Sequence, residues 1–109
     1  MELSSSGYFI LASLQGGPLH GYGIIKRAET LSDGRMRLAV GTLYGLIDRL
    51  ASNDLIALAS VEIVDGRARR SYSLTPTGTR TLHEEAARLA QAASIVRPAA
   101  CAALQVRPA

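Results

Sequence analysis

The segment from position 41 to 50 carries the side chains best suited to contact another molecule. Leucine and isoleucine recur there at three- and four-residue spacing, which predicts a helix with one apolar face. The side chains off that face are Thr42, Tyr44, Gly45, Asp48 and Arg49. Hydroxyl, phenol and guanidinium groups suit contact with a phosphate backbone or with base edges in a groove. The alternative interpretation is an ordinary amphipathic core helix.

A second candidate group is the cluster of Arg67, Arg69 and Arg70, which follows Asp65-Gly66. An Asp-Gly pair favours a two-residue hairpin turn, because a type I′ turn needs positive φ at both central residues. Strand alternation places Arg67 and Arg69 on one face and turns Arg70 to the other. The pattern predicts phosphate contact at the hairpin tip, with Arg69 free to make it. The alternative is a solvated surface.

Neither catalysis nor metal binding finds support in the sequence. The two histidines, His20 and His83, are far apart, and neither has a cysteine or carboxylate at ligand spacing. No nucleophile–base pair or glycine-rich phosphate loop is recognisable, so no enzyme activity, metal or cofactor is predicted. His20 is interpreted as a residue that packs at a helix start or contacts phosphate.

Length, charge and cysteine content limit the classes of protein to which this chain can belong. The 109 residues predict one domain, and 48% apolar residues build only a thin core, which favours oligomerisation. The net charge of +3 permits an acidic partner. A single cysteine, Cys101, excludes an intrachain disulfide and favours a reducing compartment. Since no signal-peptide pattern or membrane-length apolar run appears, the predicted location is the cytoplasm.

Hydrophobic periodicity predicts the elements that position these residues. In order, they are a helix to about residue 15, a helix from His20 or Gly21 to about 31, and the central helix from 41, which Asn53-Asp54 closes. Strands over 55–64 and 67–74 and a helix from 76 to about 96 follow. Thr75-Pro76 starts the last helix, with the hydroxyl as cap and proline in the first helical position. Residues 98–109 are predicted to form a weakly patterned, partly disordered tail.

The last helix carries an apolar seam at alternating four- and three-residue spacing, which is typical of helices that pack in pairs. The seam consists of Leu82, Ala86, Leu89, Ala93 and Val96. This spacing suits a second subunit and the protein's own domain equally. The first helix is apolar around most of its girth, so Tyr8 and Phe9 are also expected at an interface between subunits.

Three helices, a hairpin and a further helix make up the layout of a winged helix-turn-helix, a mainly α fold with a two-stranded β-wing. In that layout the third helix enters the major groove of DNA, and the wing tip reaches the neighbouring backbone. The arginines lie where this layout needs positive charge. The sequence thus divides into a DNA-binding region over 1–74, a dimerisation helix of the same domain over 75–97, and the tail.

Four motifs in this order resemble the PadR family of transcriptional regulators, in its short form with a single C-terminal helix. They are Leu19-His20-Gly21-Tyr22, then Gly41-Thr42-Leu43-Tyr44 with Leu46 and Arg49-Leu50, then Gly66-Arg67-Ala68-Arg69-Arg70 with Tyr72, and Leu74-Thr75 with Gly78. Each motif alone is weak, whereas four in the right order are specific. The resemblance covers the chain from Tyr8 to Leu89.

The resemblance implies a homodimer held by the first and last helices. It also implies repression at a pseudo-palindromic site on double-stranded DNA, often relieved by a small-molecule inducer. Tyr22, Thr42, Tyr44 and the wing arginines are then expected to contact DNA. Gly45 and Arg49 of the central helix, and Lys26 on the outward side of the second helix, complete the predicted DNA-binding set.

Three positions depart from the family pattern. Ala39 stands where a capping serine is common, and a lost cap costs about 1 kcal/mol. Gly45 replaces a common proline, and Ser71 replaces a common tyrosine. The competing function is a winged-helix protein-interaction module that does not touch DNA. The operator, the regulated genes and an inducer are not readable from the sequence.

Overall fold

The computed structural model describes residues 3–97, and the tail predicted over 98–109 lies outside them. The elements in chain order are α1 Ser5–Ser13, β1 Leu19–His20, α2 Gly21–Leu31, α3 Val40–Ser52, β2 Ile56–Val64, β3 Arg67–Leu74 and α4 Pro76–Ser94. The predicted fold class is confirmed: the chain is mostly helical, with a small antiparallel sheet that carries the wing.

The sheet has three strands in the order β1-β3-β2, one more than the sequence predicts. In the additional strand, β1, Leu19 pairs with Tyr72 and His20 pairs with Ser71. Two residues are too few to show the alternation that marks a strand in sequence. The pairing joins the residues just before α2 to the base of the wing.

The wing follows the predicted hairpin closely. Asp65 and Gly66 have φ of 52° and 76°, and Val64 pairs with Arg67 across the turn. A register shift between Leu58 and Ser60 makes a bulge, after which the pairing continues to the tip. Cross-strand partners lie on the same face of a sheet, so successive side chains of β3 alternate between its two faces, as the sequence predicts.

Within residues 3–97, three of the four helices begin at a side-chain cap. The Oγ of Ser4 accepts a hydrogen bond from the Gly7 amide at 3.0 Å. The Nδ1 of His20 accepts one from the Gly23 amide at 3.2 Å. Helix α3 has no side-chain cap at Ala39, as the sequence predicts. Its position therefore depends on the packing of its apolar face.

The hydrophobic core lies between the four helices and the base of the wing. Helix α3 contributes Leu43, Ile47 and Leu50, all nearly inaccessible to solvent. The remaining core residues are Ile10, Leu11, Leu14, Ile24, Leu55, Ile56 and Leu82. This packing fixes which face of α3 points inward and leaves its polar face outside.

Helix α4 docks against the junction of α3 and β2. The Thr75 amide donates to the Leu55 carbonyl at 3.1 Å, and the Thr75 hydroxyl donates to the Asp54 carbonyl at 2.6 Å. The same hydroxyl accepts from the Gly78 amide at 2.8 Å. A Cβ on Gly78 would lie 1.9 Å from the Leu55 oxygen. Glycine is therefore the residue that allows this close approach.

The predicted apolar seam of α4 divides into a buried and an exposed part. Leu82 is only 4% exposed and belongs to the core of its own chain. Leu89 is 41% exposed and Val96 is 69% exposed. Only the part from Ala86 onward therefore offers surface to a second subunit. Dimerisation through that part stays a prediction.

An ion pair between the buried Glu85 and the half-exposed Arg88 makes the stability of the fold depend on pH. The Glu85 side chain is 7% exposed, and both of its oxygens accept hydrogen bonds from the Arg88 guanidinium. These hydrogen bonds lower the pKa of Glu85. A carboxylate with a lowered pKa in the folded state stabilises the protein above its unfolded pKa, and that contribution is lost as the pH falls.

We therefore expect Glu85→Gln to lower the free energy of unfolding near neutral pH. The difference from wild type should shrink as the pH falls below the usual carboxyl pKa of 4.5. Urea titrations of both proteins from pH 7 to pH 3 measure this difference. Glu84→Gln, at an exposed position of the same helix, is the control. A pH-independent difference would contradict the ion-pair interpretation.

Candidate nucleic-acid interface

The outward face of α3 presents the polar residues that the sequence singles out. Thr42, Tyr44, Gly45, Asp48 and Arg49 lie on this face, and Tyr44 is 46% exposed. A Cβ on Gly41 or Gly45 would meet nothing within 4 Å, so the helix backbone is open to solvent at both positions. This face therefore allows close approach of another molecule.

The position of Tyr44 depends on the start of α2. A Cβ on Gly21 would lie 2.6 Å from the Tyr44 hydroxyl oxygen, so the phenol rests directly on Gly21. Burial raises the pKa of Tyr72, the positive charge of Arg70 opposes the rise, and the nearby Tyr44 and Asp48 add to it. These interactions place α3 and the wing base side by side on one surface.

A cleft of about 490 Å³ lies between the start of α2, the Tyr44 ring and the wing. Its lining consists of His20, Gly21, Tyr22, Tyr44, Val64, Arg67, Ala68, Arg69 and Arg70. Three of these nine residues are arginines and none is acidic. The cleft is thus suited to a polyanion, since both its polar groups and its charge favour phosphate.

The wing arginines differ in what they contact. Nη2 of Arg69 lies 3.5 Å from Oε1 of Glu62, its partner across the hairpin. Arg69 is therefore not free, contrary to the expectation from sequence. Within residues 3–97, neither Arg67 nor Arg70 forms an ion pair. The sequence could have revealed the Glu62 contact, because residues at equal distance from a two-residue turn face each other.

Helix α2 brings further groups to the same side. Tyr22 is 63% exposed, and Nζ of Lys26 lies 5.6 Å from the centre of its ring. The loop between α2 and α3 carries Arg35 and Arg37, which the sequence motifs do not include. Arg35 lines a separate pocket beside Phe9 and not the basic cleft. Nε of Arg37 lies 3.8 Å from Oε2 of Glu29 on α2, so part of the Arg37 charge is neutralised. Contact of Tyr22 and Lys26 with DNA stays a prediction.

Metal-ligand clusters and membrane-length helices are both absent from the described part of the chain. Among residues 3–97, no group of three or more histidine, cysteine, aspartate or glutamate side chains is arranged to hold a metal ion. No helix in the same range is long and apolar enough to cross a membrane.

The α2–turn–α3 unit and the basic hairpin beside it define a winged helix-turn-helix protein. The chain belongs to the transcriptional regulator PadR-like family, which it matches over residues 10–84. The resemblance drawn from the four sequence motifs is thereby confirmed.

Two curated relatives match this chain. One is an uncharacterised 37.1 kDa protein in a transposon of Streptomyces fradiae, 33% identical over 84% of this chain and 25% of the relative. The other is the transcriptional regulator Rv3488 of Mycobacterium tuberculosis, 40% identical over 52% of each chain. The chain thus spans a quarter of the first relative and about half of the second.

Solved structures share the fold. A PadR-like transcription factor from Bacteroides fragilis is 31% identical, with a TM-score of 0.70 over 82% of this chain and 84% of that one. Bacillus subtilis PadR in complex with operator DNA is 24% identical, with a TM-score of 0.63 over 72% of this chain and 44% of that one. At this identity, the second comparison supports the fold alone.

Proposed function

We propose that the protein is a homodimeric transcriptional repressor that binds a pseudo-palindromic promoter site in double-stranded DNA. The observation that carries the proposal is the cleft between α3 and the wing, which has three arginines and no acidic residue in its lining. The outward face of α3 would lie in the major groove, while Arg67 and Arg70 contact the adjacent backbone. The Bacillus subtilis PadR structure, solved in complex with operator DNA, shares this fold.

The competing function is a winged-helix module that binds another protein and does not bind DNA. Mobility-shift titrations on the promoter of the protein's own gene, at several salt concentrations, separate the two functions. A DNA-binding protein that neutralises phosphates loses affinity steeply as salt rises. We expect that dependence here. Absence of binding even at low salt would exclude the repressor.

The second subunit is proposed to pack on the groove between α1 and α4. This groove has a volume of about 180 Å³, and its lining includes Tyr8, Phe9 and Leu89. Tyr8 and Phe9 are half-buried and meet edge to face, with ring centres 5.5 Å apart. Apolar rings beside the exposed part of the α4 seam form a surface that a partner helix can bury.

We expect Leu89→Asp to convert the dimer to a monomer, because it places a charge in the proposed apolar interface. Sedimentation velocity measures the mass directly. Ala87→Asp introduces the same charge at another exposed position of α4, off the seam, and should leave the dimer intact. A Leu89→Asp protein that keeps the wild-type dimer mass would place the interface elsewhere.

We expect Tyr44→Phe to weaken operator binding about fivefold, which corresponds to the roughly 1 kcal/mol of one lost hydrogen bond. The melting temperature should stay within a few degrees, because the Tyr44 side chain lies at the surface. Fluorescence anisotropy and thermal melts of the two proteins measure both quantities. Normal binding by a protein that melts much lower would make Tyr44 a structural residue.

We also propose that a small molecule releases the protein from DNA, which the family resemblance implies together with dimerisation. An apolar cavity at the dimer interface would be lined by Tyr8, Phe9 and the alanine-rich face of α4. The chain has no tryptophan, so indole stacking on a planar ligand is excluded. A ligand there would act by changing the relative position of the two recognition helices.

A further inference from the structure

Asp48 carries a negative charge on the face of α3 that the proposed function turns toward DNA. It is the only acidic residue of that helix. Within residues 3–97, its carboxylate forms no ion pair and accepts no hydrogen bond from any other group. A free carboxylate is repelled by a phosphate backbone, so it weakens binding to every sequence unless the DNA supplies a hydrogen-bond donor.

The neighbours of Asp48 along this face of α3 include two glycines and a serine whose hydroxyl is already hydrogen-bonded. One turn toward the helix N-terminus, the same face carries Gly45 and Tyr44, and Gly41 lies two turns away. The two glycines have no side chain, and the proposed function already assigns the Tyr44 hydroxyl a contact with the operator. One turn the other way, the Ser52 hydroxyl donates to the Asp48 backbone carbonyl at 2.8 Å, so its proton is already used. The contribution of Asp48 to the electrostatics of Tyr72 also places it beside the wing base.

Two bases offer donors in the major groove, namely cytosine through N4 and adenine through N6. The adenine amino group lies between two acceptors, its own N7 and O4 of the paired thymine. The cytosine amino group has an acceptor on the guanine side only, so a carboxylate meets less repulsion there. Resting on the proposed function, we propose that Asp48 reads sequence by accepting a hydrogen bond from a cytosine amino group in each half-site.

The test is a selection of bound sequences from a random duplex pool, followed by affinities for single base-pair changes in the selected half-site. We expect the wild type to enrich cytosine at one position per half-site and to lose about tenfold in affinity when that base pair is changed. Asp48→Ala should lose this preference and bind unrelated DNA more tightly. Asp48→Asn should shift the preference to adenine, which an amide contacts through both N6 and N7.

Glu84→Gln is the matched control, because it removes one negative charge from an exposed position on α4. It should keep the wild-type base preference. If both Asp48 variants select the wild-type sequence at every position, the inference is overturned while DNA binding stands. A wild-type protein that binds DNA without enriching any sequence overturns it in the same way. Absence of any salt-dependent DNA binding would overturn the proposed function and this inference with it.

Discussion

Gly78→Ala should lower the free energy of unfolding by about 3 kcal/mol or more, the upper end of the cost of overpacking. The added Cβ would lie 1.9 Å from the Leu55 oxygen and 2.8 Å from the Leu55 carbonyl carbon. Both atoms belong to the backbone, so no side chain can move aside to relieve the clash. The start of α4 must shift, and its hydrogen bonds to Asp54 and Leu55 weaken with it.

Thermal melts measure this effect, and a loss of that size lowers the melting temperature of a small domain by more than about 10 °C. The matched control is Gly45→Ala, also inside a helix, where the new Cβ meets nothing within 4 Å. That change should raise stability by up to about 1 kcal/mol, because alanine favours the helix. Equal melting temperatures for the two variants would contradict the tight docking of α4.

Arg67→Ala should flatten the salt dependence of DNA binding by roughly 1 to 2 in the slope of log affinity against log salt. Each neutralised phosphate contributes about 0.9 to that slope, and a dimer presents two wings. Arg69→Ala should change the slope less, because Glu62 already partly neutralises Arg69. Phosphate contacts carry no sequence information, so the loss of affinity should be similar on operator and unrelated DNA.

Glu62→Gln provides the complementary variant for the wing. It removes the partner of Arg69, so the slope should become steeper and binding at low salt should tighten. Exposed ion pairs contribute only about 0–1 kcal/mol to stability, so the fold should be unaffected. Operator affinity is measured at four or more salt concentrations for these three variants and for Arg70→Ala. Unchanged slopes for both Arg67→Ala and Arg70→Ala would exclude the wing as a phosphate contact.

Local signals in the sequence predict most of the elements. Asp65-Gly66 locates the hairpin, and Thr75-Pro76 places the start of the last helix at the observed residue. The spacing of Leu43, Ile47 and Leu50 identifies the inner face of α3 and, with it, the outer face that the proposed function uses. These features depend on residues within one or two turns of each other, so they can be read without knowing the fold.

What the sequence does not predict depends on contacts between distant segments. Gly78 looks like an unfavourable residue inside a helix until the Leu55 backbone is placed beside it. Leu82 fits a dimer seam by spacing, yet the core of its own chain buries it. The pairing of β1 with β3 leaves no pattern in the sequence, because a two-residue strand has no period. In each case, the tertiary arrangement decides among options that spacing leaves open.

The short strand β1 divides the wing into a rigid base and an adaptable end. At Ser71 and Tyr72, strand β3 is held between two partners, whereas from Arg67 to Arg70 it pairs only with β2. Isolated two-stranded ribbons are only marginally stable. We therefore expect the wing to bend and twist mainly between its base and its tip. The pairing with β1 thus fixes the position of the wing base relative to the start of α2. In the proposed function, the arginine-bearing end would adapt to the local width of the groove. Most of the entropy lost on binding DNA would then come from this end.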